Sequence, residues 1–455
     1  GVKADLRSNQ PLFGMDWLYP LKAILRAVRP EVSQVPYRFT VIEAGKAVEA
    51  NQPFEAVQPR LAHARRVVAG DLHGSWLKLT EMLLAAKLAT VEDPTFLQKL
   101  NGYHSAYNAV LKTDPYLMNP ASRQQCRKIK HKIKPLLRTM RWTDPNRQLV
   151  LLGDVIADRG QDDELTLTLL DHFNHPSMAT KTEERPIVHL ASNHGHYALR
   201  HIVAGLPAKT DPRTTASLLR AFRSLTTNRE KDVLIRAYRR YLEDDQLMLY
   251  NPSTRTLFTH APINDADIEQ LIDAMKQPHN AFLSKEWVYG EEKRPAQVSY
   301  FVTEANTYYR RYVASRFEAA YLANNSPKLM CDAICYTLPR AYVGGQTHVA
   351  LYDKELQRPE HLRMVDENAL MNFLSSMTIL SRRIRLPFFM NAEDHRPLVH
   401  TLVHGHCNTT DQSPYSFAKN QRPGEGEYCI VGLNQGVRKS LEEPGKDCLV
   451  LYVEA

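Results

Sequence analysis

Short apolar runs that stop abruptly at polar residues recur along the chain. They include "RRVVAGD" (65–71), "RQLVLLGDV" (147–155), "ERPIVHLASN" (184–193) and "DQLMLYNPSTRTLFTHAP" (245–262). "PLVHTLVHGHCN" (397–408), "EYCIVGLNQG" (427–436) and "DCLVLYVEA" (447–455) continue the series. Their shortness and β-branched content predict buried strands, with an Asn-Pro turn splitting the 245–262 run in two. "SWLKLTEMLLAAKL" (75–88) instead places apolar residues at helical spacing. A strand, a glycine turn and a helix make an α/β unit. Residues 197–245 and 265–335 read as helical. Residues 92–142 are polar, rich in Lys and Arg and interrupted by Pro115 and Pro120, which predicts an inserted helical hairpin. Residues 1–60 mix a helix-prone stretch, "DWLYPLKAILRAV", with proline-punctuated extended segments. The organisation expected is an N-terminal extension over 1–60 and a main α/β domain over 61–455. That domain is interrupted by the 92–142 hairpin and a mostly helical 265–335 insert.

Composition narrows the class. Hydrophobic residues at 43% and charged residues at 24% are ordinary for a globular chain of 455 residues, which can bury a sizeable core. No run approaches the ~20 apolar residues of a membrane span. The N-terminus "GVKADLRSNQ" is polar and lacks the apolar region of a signal peptide. The net charge is +8. Its one dense basic cluster, "RQQCRKIKHKIK" (123–134), reads either as a solvated helical face or as a surface for acidic partners such as nucleic acid or phospholipid, or for a protein partner. No aromatic residues interleave it, so a nucleic-acid platform is not expected. Cysteines at 126, 331, 335, 407, 429 and 448 follow no CxxC pattern, which favours reduced, buried thiols over a disulfide framework.

The candidate chemistry lies where strands end. Asp71 and His73 stand two apart in "GDLHG" (70–74), and extended geometry would point them into one space. Asp154 opens "DVIADRG" (154–160), where a strand-end carboxylate can bridge two cations. Asp158 and Arg159 follow, and an arginine fork beside a dication suits phosphate. In "SNHGH" (192–196), Asn193 offers a neutral amide oxygen and His194 a proton near pH 7. His260 and His406 end later strands. His404 and His348, the latter in "VGGQTHV" (343–349), are rivals for the place of His406. Ligands gather beyond the carboxyl ends of strands in α/β sheets, and this oxygen and nitrogen set suits hard or borderline metals.

In this order, GDLHG, GDVIADRG and SNHG resemble the calcineurin-like metallophosphoesterase superfamily, above all its phosphoprotein phosphatase (PPP) branch. The branch pattern is GDxHG, GDxxDRG and GNH[DE]. Here the second block is one residue longer between its aspartates, and the third lacks the acid. The resemblance covers roughly 65–90, 147–200, 247–262 and 397–436. It implies an α/β fold, the αββα sandwich of two mixed sheets flanked by helices. It also implies two divalent metal ions, with manganese favoured and iron or zinc suited. Asp71 and His73 would hold the first, Asp154 would bridge, and Asn193, His260 and His406 would complete the second. Arg159 would grip phosphate, with Arg340 in "LPRAYVGG" a candidate second grip. His194, oriented by Asp158, would be the general acid.

The activity implied is hydrolysis of phosphomonoesters on protein side chains. Two dications ~3.5–4 Å apart would activate a water for in-line attack and clamp the phosphoryl oxygens. The inserts and degenerate motifs are similar to the Wip-type effector phosphatases of Legionella. That narrower likeness implies phosphotyrosine as substrate, whereas the branch at large favours phosphoserine and phosphothreonine. It also implies a cytoplasmic protein delivered into a host cytosol by a secretion system. A dinucleoside-polyphosphate or nucleotide hydrolase would share the motifs, and a non-enzymatic scaffold is a third reading. A cysteine-based tyrosine phosphatase is excluded, because no cysteine has an arginine six residues on.

Overall fold

The structure is a computed structural model. It describes residues 38–43, 49–176, 182–204, 212–280, 282–283, 295–324, 364–377, 398–406, 416–420, 428–433 and 448–454. Numbered along the chain, these residues form β1 (Arg38–Glu43), β2 (Glu49–Gln52), α1 (Phe54–Leu61), β3 (Arg66–Ala69) and α2 (Trp76–Ala85). Next come β4 (Ala89–Thr90), α3 (Phe96–Thr113), α4 (Pro120–Leu137), β5 (Arg141–Trp142) and β6 (Gln148–Leu151). They continue with α5 (Asp163–Asn174), β7 (Ile187–His189), α6 (Asn193–Ala204), α7 (Ala216–Arg223) and α8 (Asn228–Asp244). Then follow β8 (Met248–Asn251), β9 (Thr256–Thr259), α9 (Asp265–Met275), α10 (Pro295–Asn324) and α11 (Met364–Leu374). The last are β10 (Thr401–His404), β11 (Ser416–Asn420), β12 (Tyr428–Gly432) and β13 (Cys448–Glu454).

The fold is mixed α/β, with two main sheets. The larger has the order β2-β1-β13-β3-β6-β7 and the smaller β11-β12-β10-β9-β8. β3, β6 and β7 run parallel, as do β9, β10 and β12, while β13 against β3 and β8 against β9 are antiparallel. The described residues of the 1–60 segment supply β1 and β2, and β1 pairs with β13 over its whole length. The period-two alternation of strands sorts their side chains. Val68, Val150 and Val188 of the larger sheet join Phe258, Val403 and Val431 of the smaller in one buried apolar cluster. Their neighbours Val67, Leu149 and Leu151 join the larger core that contains the helices' apolar faces. The sheets therefore meet face to face. Parallel neighbours end at the same edge, so the loops after β3, β6, β7, β9 and β10 converge.

The hairpin expected over 92–142 is present as α3 and α4, closed at its base by β4 pairing with β5. Its basic cluster is not simply a solvated face. Lys130 is buried on the apolar stripe of α4 with Cys126, Ile129, Ile133 and Leu137. Its ammonium lies 3.1 Å from Asp162 and 2.8 Å from Glu164. Lys134 meets Glu164 at 2.8 Å and Arg127 meets Glu230 at 2.6 Å. Much of the positive charge is thus spent within the chain.

Cys126 and Cys429 are buried. No helix among the described residues is long and apolar enough to cross a membrane. The expected helix in "DWLYPLKAILRAV", together with Arg340, His348, Cys331, Cys335 and Cys407, lies outside the described residues.

Candidate active site

The loops that leave the strand ends are strained where they carry polar residues. His73 (φ 54°), Asp154 (52°), Ala157 (51°) and His406 (67°) all occupy the left-handed region. Such conformations cost non-glycine residues about 1–3 kcal/mol and persist where the surroundings over-determine them. The chain turns at His73 rather than staying extended, and the His73 Nδ1–H donates to Asp158 Oδ2 at 3.1 Å. Two glycines are required by close approach. A Cβ on Gly153 (φ 123°) would stand 2.5 Å from His260 Nδ1, and one on Gly405 would stand 2.3 Å from Asp71 Oδ1.

Asp71 receives the His406 backbone N–H at 3.1 Å and lies 3.6 Å from His260 Nδ1, so the ends of the two sheets meet at this carboxylate. Burial pushes the Asp71 carboxyl well up, and the neighbouring Asp154 adds to the rise. Burial also acts against an ionised Asp154. The imidazoles of His194, His260, His73 and His406 outweigh it and hold that carboxyl below the usual range. His406 is depressed to about 4, by burial first and then by His260. Of its rivals, His404 is buried and donates from Nδ1 to the Gly405 carbonyl at 2.7 Å.

The ligand atoms fall into two groups, each with all atoms within 4.8 Å of one another. Asp71, Asp154 and His260 form one, His73, Asp154 and Asp158 the other, and Asp154 belongs to both. Asp71 thus groups with His260, and His73 with Asp158, around the shared Asp154.

The donor set fits cations. His260 Nδ1–H donates to the Leu152 carbonyl at 2.9 Å, and burial lowers the ring's proton affinity. His260 Nε2 lies 2.9 Å from Asn193 Oδ1, within hydrogen-bond reach, and the Asn193 amide lies 3.3 Å from Tyr197 Oη. Beside them, Asp154 Oδ1 is buried without a hydrogen-bond partner. Buried acceptors in that state call for a bound ion or water. The described residues thus include buried Asp and His groups able to hold a metal.

His194 sits in the first turn of α6, whose start is capped by Ser192 Oγ accepting the Gly195 N–H at 3.1 Å. Its Nδ1–H donates to the Ala157 carbonyl at 2.6 Å, which leaves Nε2 3.7 Å from Asp158 Oδ2. Burial disfavours the imidazolium, but Asp158 and Asp154 raise its proton affinity overall. Arg159 keeps 30% of its side chain exposed, with Nε 3.8 Å from Asp158 Oδ1, at the mouth of the cluster.

Sequence reasoning missed three contributors. Tyr197 orients the Asn193 amide from one helical turn on, a spacing that could have been noticed. Asp245 stands at the end of α8, and its Oδ2 would lie 3.4 Å from a Cβ on Gly195. A carboxylate from elsewhere in the chain thus lies beside the place of the acid missing from SNHG. Asp245 also bonds His189, and burial pushes its carboxyl up to about 6. Asp163 is buried and accepts from the Ala157 N–H at 2.9 Å and the Tyr238 O–H at 2.5 Å. No local motif signals either of these acids.

A mixed α/β fold with buried aspartate and histidine groups at converging strand ends is the frame of a phosphatase domain. Residues 148–420 match the family model described as WipA-like, phosphatase domain, which is well over half of the chain. The chain belongs to that family of Wip-type phosphatases. Among solved structures it is similar to the phosphatase domain of the Legionella effector WipB, at 17% identity and a TM-score of 0.46. That likeness covers 68% of this chain and 91% of the other. No curated protein matches.

Proposed function

We propose that the chain is a two-metal phosphoprotein phosphatase of the metallophosphoesterase type, acting on phosphotyrosine proteins. The observation that carries this reading is the pair of three-residue groups sharing Asp154. In the proposed assignment Asp71, His73, Asp154, Asn193, His260 and His406 hold the cations, with Asp154 common to both. Bound there, two divalent cations would supply Lewis acidity and water activation near neutral pH, with manganese favoured by the oxygen and nitrogen donors.

The chain's own residues do the rest. Arg159, at the mouth, can reach two phosphoryl oxygens with its fork and so set the ester in line. His194 carries its fixed proton on Nδ1 and turns Nε2 toward the leaving oxygen. Protonated there, it donates to that oxygen, a step that contributes ~10²–10⁴-fold. Asp158, at 3.7 Å, favours the imidazolium that this step requires. The catalytic unit in this reading includes β1, since β1 is a strand of the larger sheet, and the 92–142 and 265–335 segments are inserts in it. Delivery into a host cytosol and contact of the hairpin with a protein partner belong to the same reading.

The test is turnover of phosphotyrosine, phosphoserine and phosphothreonine peptides by the full chain, stripped of metal and then resupplied. Phosphotyrosine turnover should vanish in chelator, return with manganese and survive thiol alkylation. Undiminished turnover in chelator would sink the metal assignment. Preference for phosphoserine would sink the substrate assignment alone.

A further inference from the structure

The 154–158 loop is one residue longer than the PPP pattern, and both peptides that flank its Ala157 are held. Its left-handed φ of 51° is one an alanine enters only at a cost. The N–H on its amino side donates to Asp163 Oδ2 at 2.9 Å. On its carboxyl side, the Ala157 carbonyl and the Asp158 N–H share one planar peptide and point in opposite directions. The carbonyl receives His194 Nδ1–H at 2.6 Å, and the N–H donates to Ser217 Oγ at 2.9 Å. Asp163 is fully buried on the first turn of α5, and the buried Tyr238 of α8 donates to the same carboxylate oxygen at 2.5 Å. Neither Asp163 nor Tyr238 belongs to the groups that could hold a metal.

We infer that Asp163, braced by Tyr238, is the positioning residue for His194: it pins the strained Ala157 backbone, and the Ala157 carbonyl aims the imidazole. The longer loop is then functional, because its Ala157 supplies the acceptor for Nδ1 that leaves Nε2 to face the substrate. Asp163 acts through a peptide and never touches the ester. The inference rests on the proposed role of His194 as general acid.

Leaving groups separate the two ideas. Phenolate leaves phenyl phosphate with help from a proton, whereas p-nitrophenolate leaves readily without one. The full chain with manganese is assayed on both esters as wild type, Asp163→Ala, Tyr238→Phe, His194→Ala and the Asp163→Ala/His194→Ala pair. A misplaced catalytic group costs up to ~10²-fold. Asp163→Ala should therefore lower kcat on phenyl phosphate by about 10–100-fold while leaving KM nearly unchanged. The loss on p-nitrophenyl phosphate should be far smaller. The double variant should be no slower than His194→Ala alone, because the second change removes a function already gone. Equal losses on the two esters, or losses that multiply in the double variant, would overturn the inference, since a merely structural residue behaves that way. If Asp163→Ala does not fold, Tyr238→Phe is read by the same criterion, with a smaller leaving-group-dependent loss expected and an even or absent loss overturning it. If His194→Ala itself treats both esters alike, the general-acid role fails first and this inference falls with it.

Discussion

Two clusters of buried charge lie on either side of the 154–164 segment, and they are solved differently. In the hairpin cluster, Lys130 meets Asp162 at 3.1 Å and Glu164 at 2.8 Å, and Tyr107 donates to Asp162 at 2.7 Å. Burial acts to discharge Lys130, but Asp162 and Glu164 outweigh it and keep the ammonium charged. Compensation there is internal. At the strand ends, Asp71, Asp154 and Asp158 face mainly imidazoles, and burial with the repulsion of Asp154 drives the Asp71 carboxyl up. Burying a carboxylate is costly unless it is paired or coordinates a metal. The first cluster is a lock between elements. The second leaves Asp154 Oδ1 buried without a hydrogen-bond partner and could hold a metal.

The sharpest way to break this comparison is to remove one charge from each. Asp154→Asn should lower kcat/KM by about 10³-fold or more, since losing even an outer-shell partner of a metal ligand costs ~10–100-fold. Its unfolding free energy in metal-free buffer should change little, because relief of repulsion with Asp71 offsets the lost imidazole contacts. Steady-state kinetics and urea unfolding on one sample check both halves. Lys130→Ala should do the reverse. Removing one partner of a buried pair costs about 3–5 kcal/mol, while kcat per folded molecule should stay near wild type. If Asp154→Asn unfolds the chain as readily as Lys130→Ala, the distinction between the clusters is wrong.

The sequence exposed these clusters unequally. Asp71, Asp154, Asn193, His260 and His406 were legible because each ends an apolar run, and parallel pairing carries such ends to one edge. Their grouping was not, because it depends on which loops end side by side: Asp71 falls beside His260 of the other sheet, and His73 beside Asp158. Lys130 was legible in principle, since Cys126, Ile129, Ile133 and Leu137 place it on the apolar stripe of a helix, yet local charge density pointed to a solvated face. Asp163 and Tyr238 are 75 residues apart, and nothing local links them. Register in the smaller sheet likewise depends on contacts between strands well over a hundred residues apart, β9 with β10, and the pairing of β1 with β13 joins opposite ends of the described residues.

Asp163 lies between the clusters and gives the comparison a pH axis. Burial pushes its carboxyl up to about 7 from an ordinary 3.8, against the hydrogen bonds from Ser217, Tyr238 and Ala157. Between those values the folded chain binds a proton that the unfolded chain has released. This group's contribution to stability is therefore present at low pH and is lost as pH rises toward about 7, at up to about 1.4 kcal/mol per pH unit. Asp163→Asn should flatten the fall in unfolding free energy between pH 5 and 7 relative to wild type. An unchanged slope would show that the carboxyl titrates normally.

The smallest effect belongs to Arg127 and Glu230, the half-exposed pair at 2.6 Å that ties α4 to α8. Glu230 also closes the capping box of α8 with Thr227, so Arg127→Ala leaves the cap intact. The cost should be only about 0.2–1 kcal/mol, with activity unchanged. Salt then separates the pairs on one helix. Added salt screens exposed charges and buried ones far less. The Arg127→Ala penalty should fade in concentrated salt while the Lys130→Ala penalty persists. If both fade together, Lys130 is reached by solvent and α4 presents its lysines outward, as the charge pattern alone would have it.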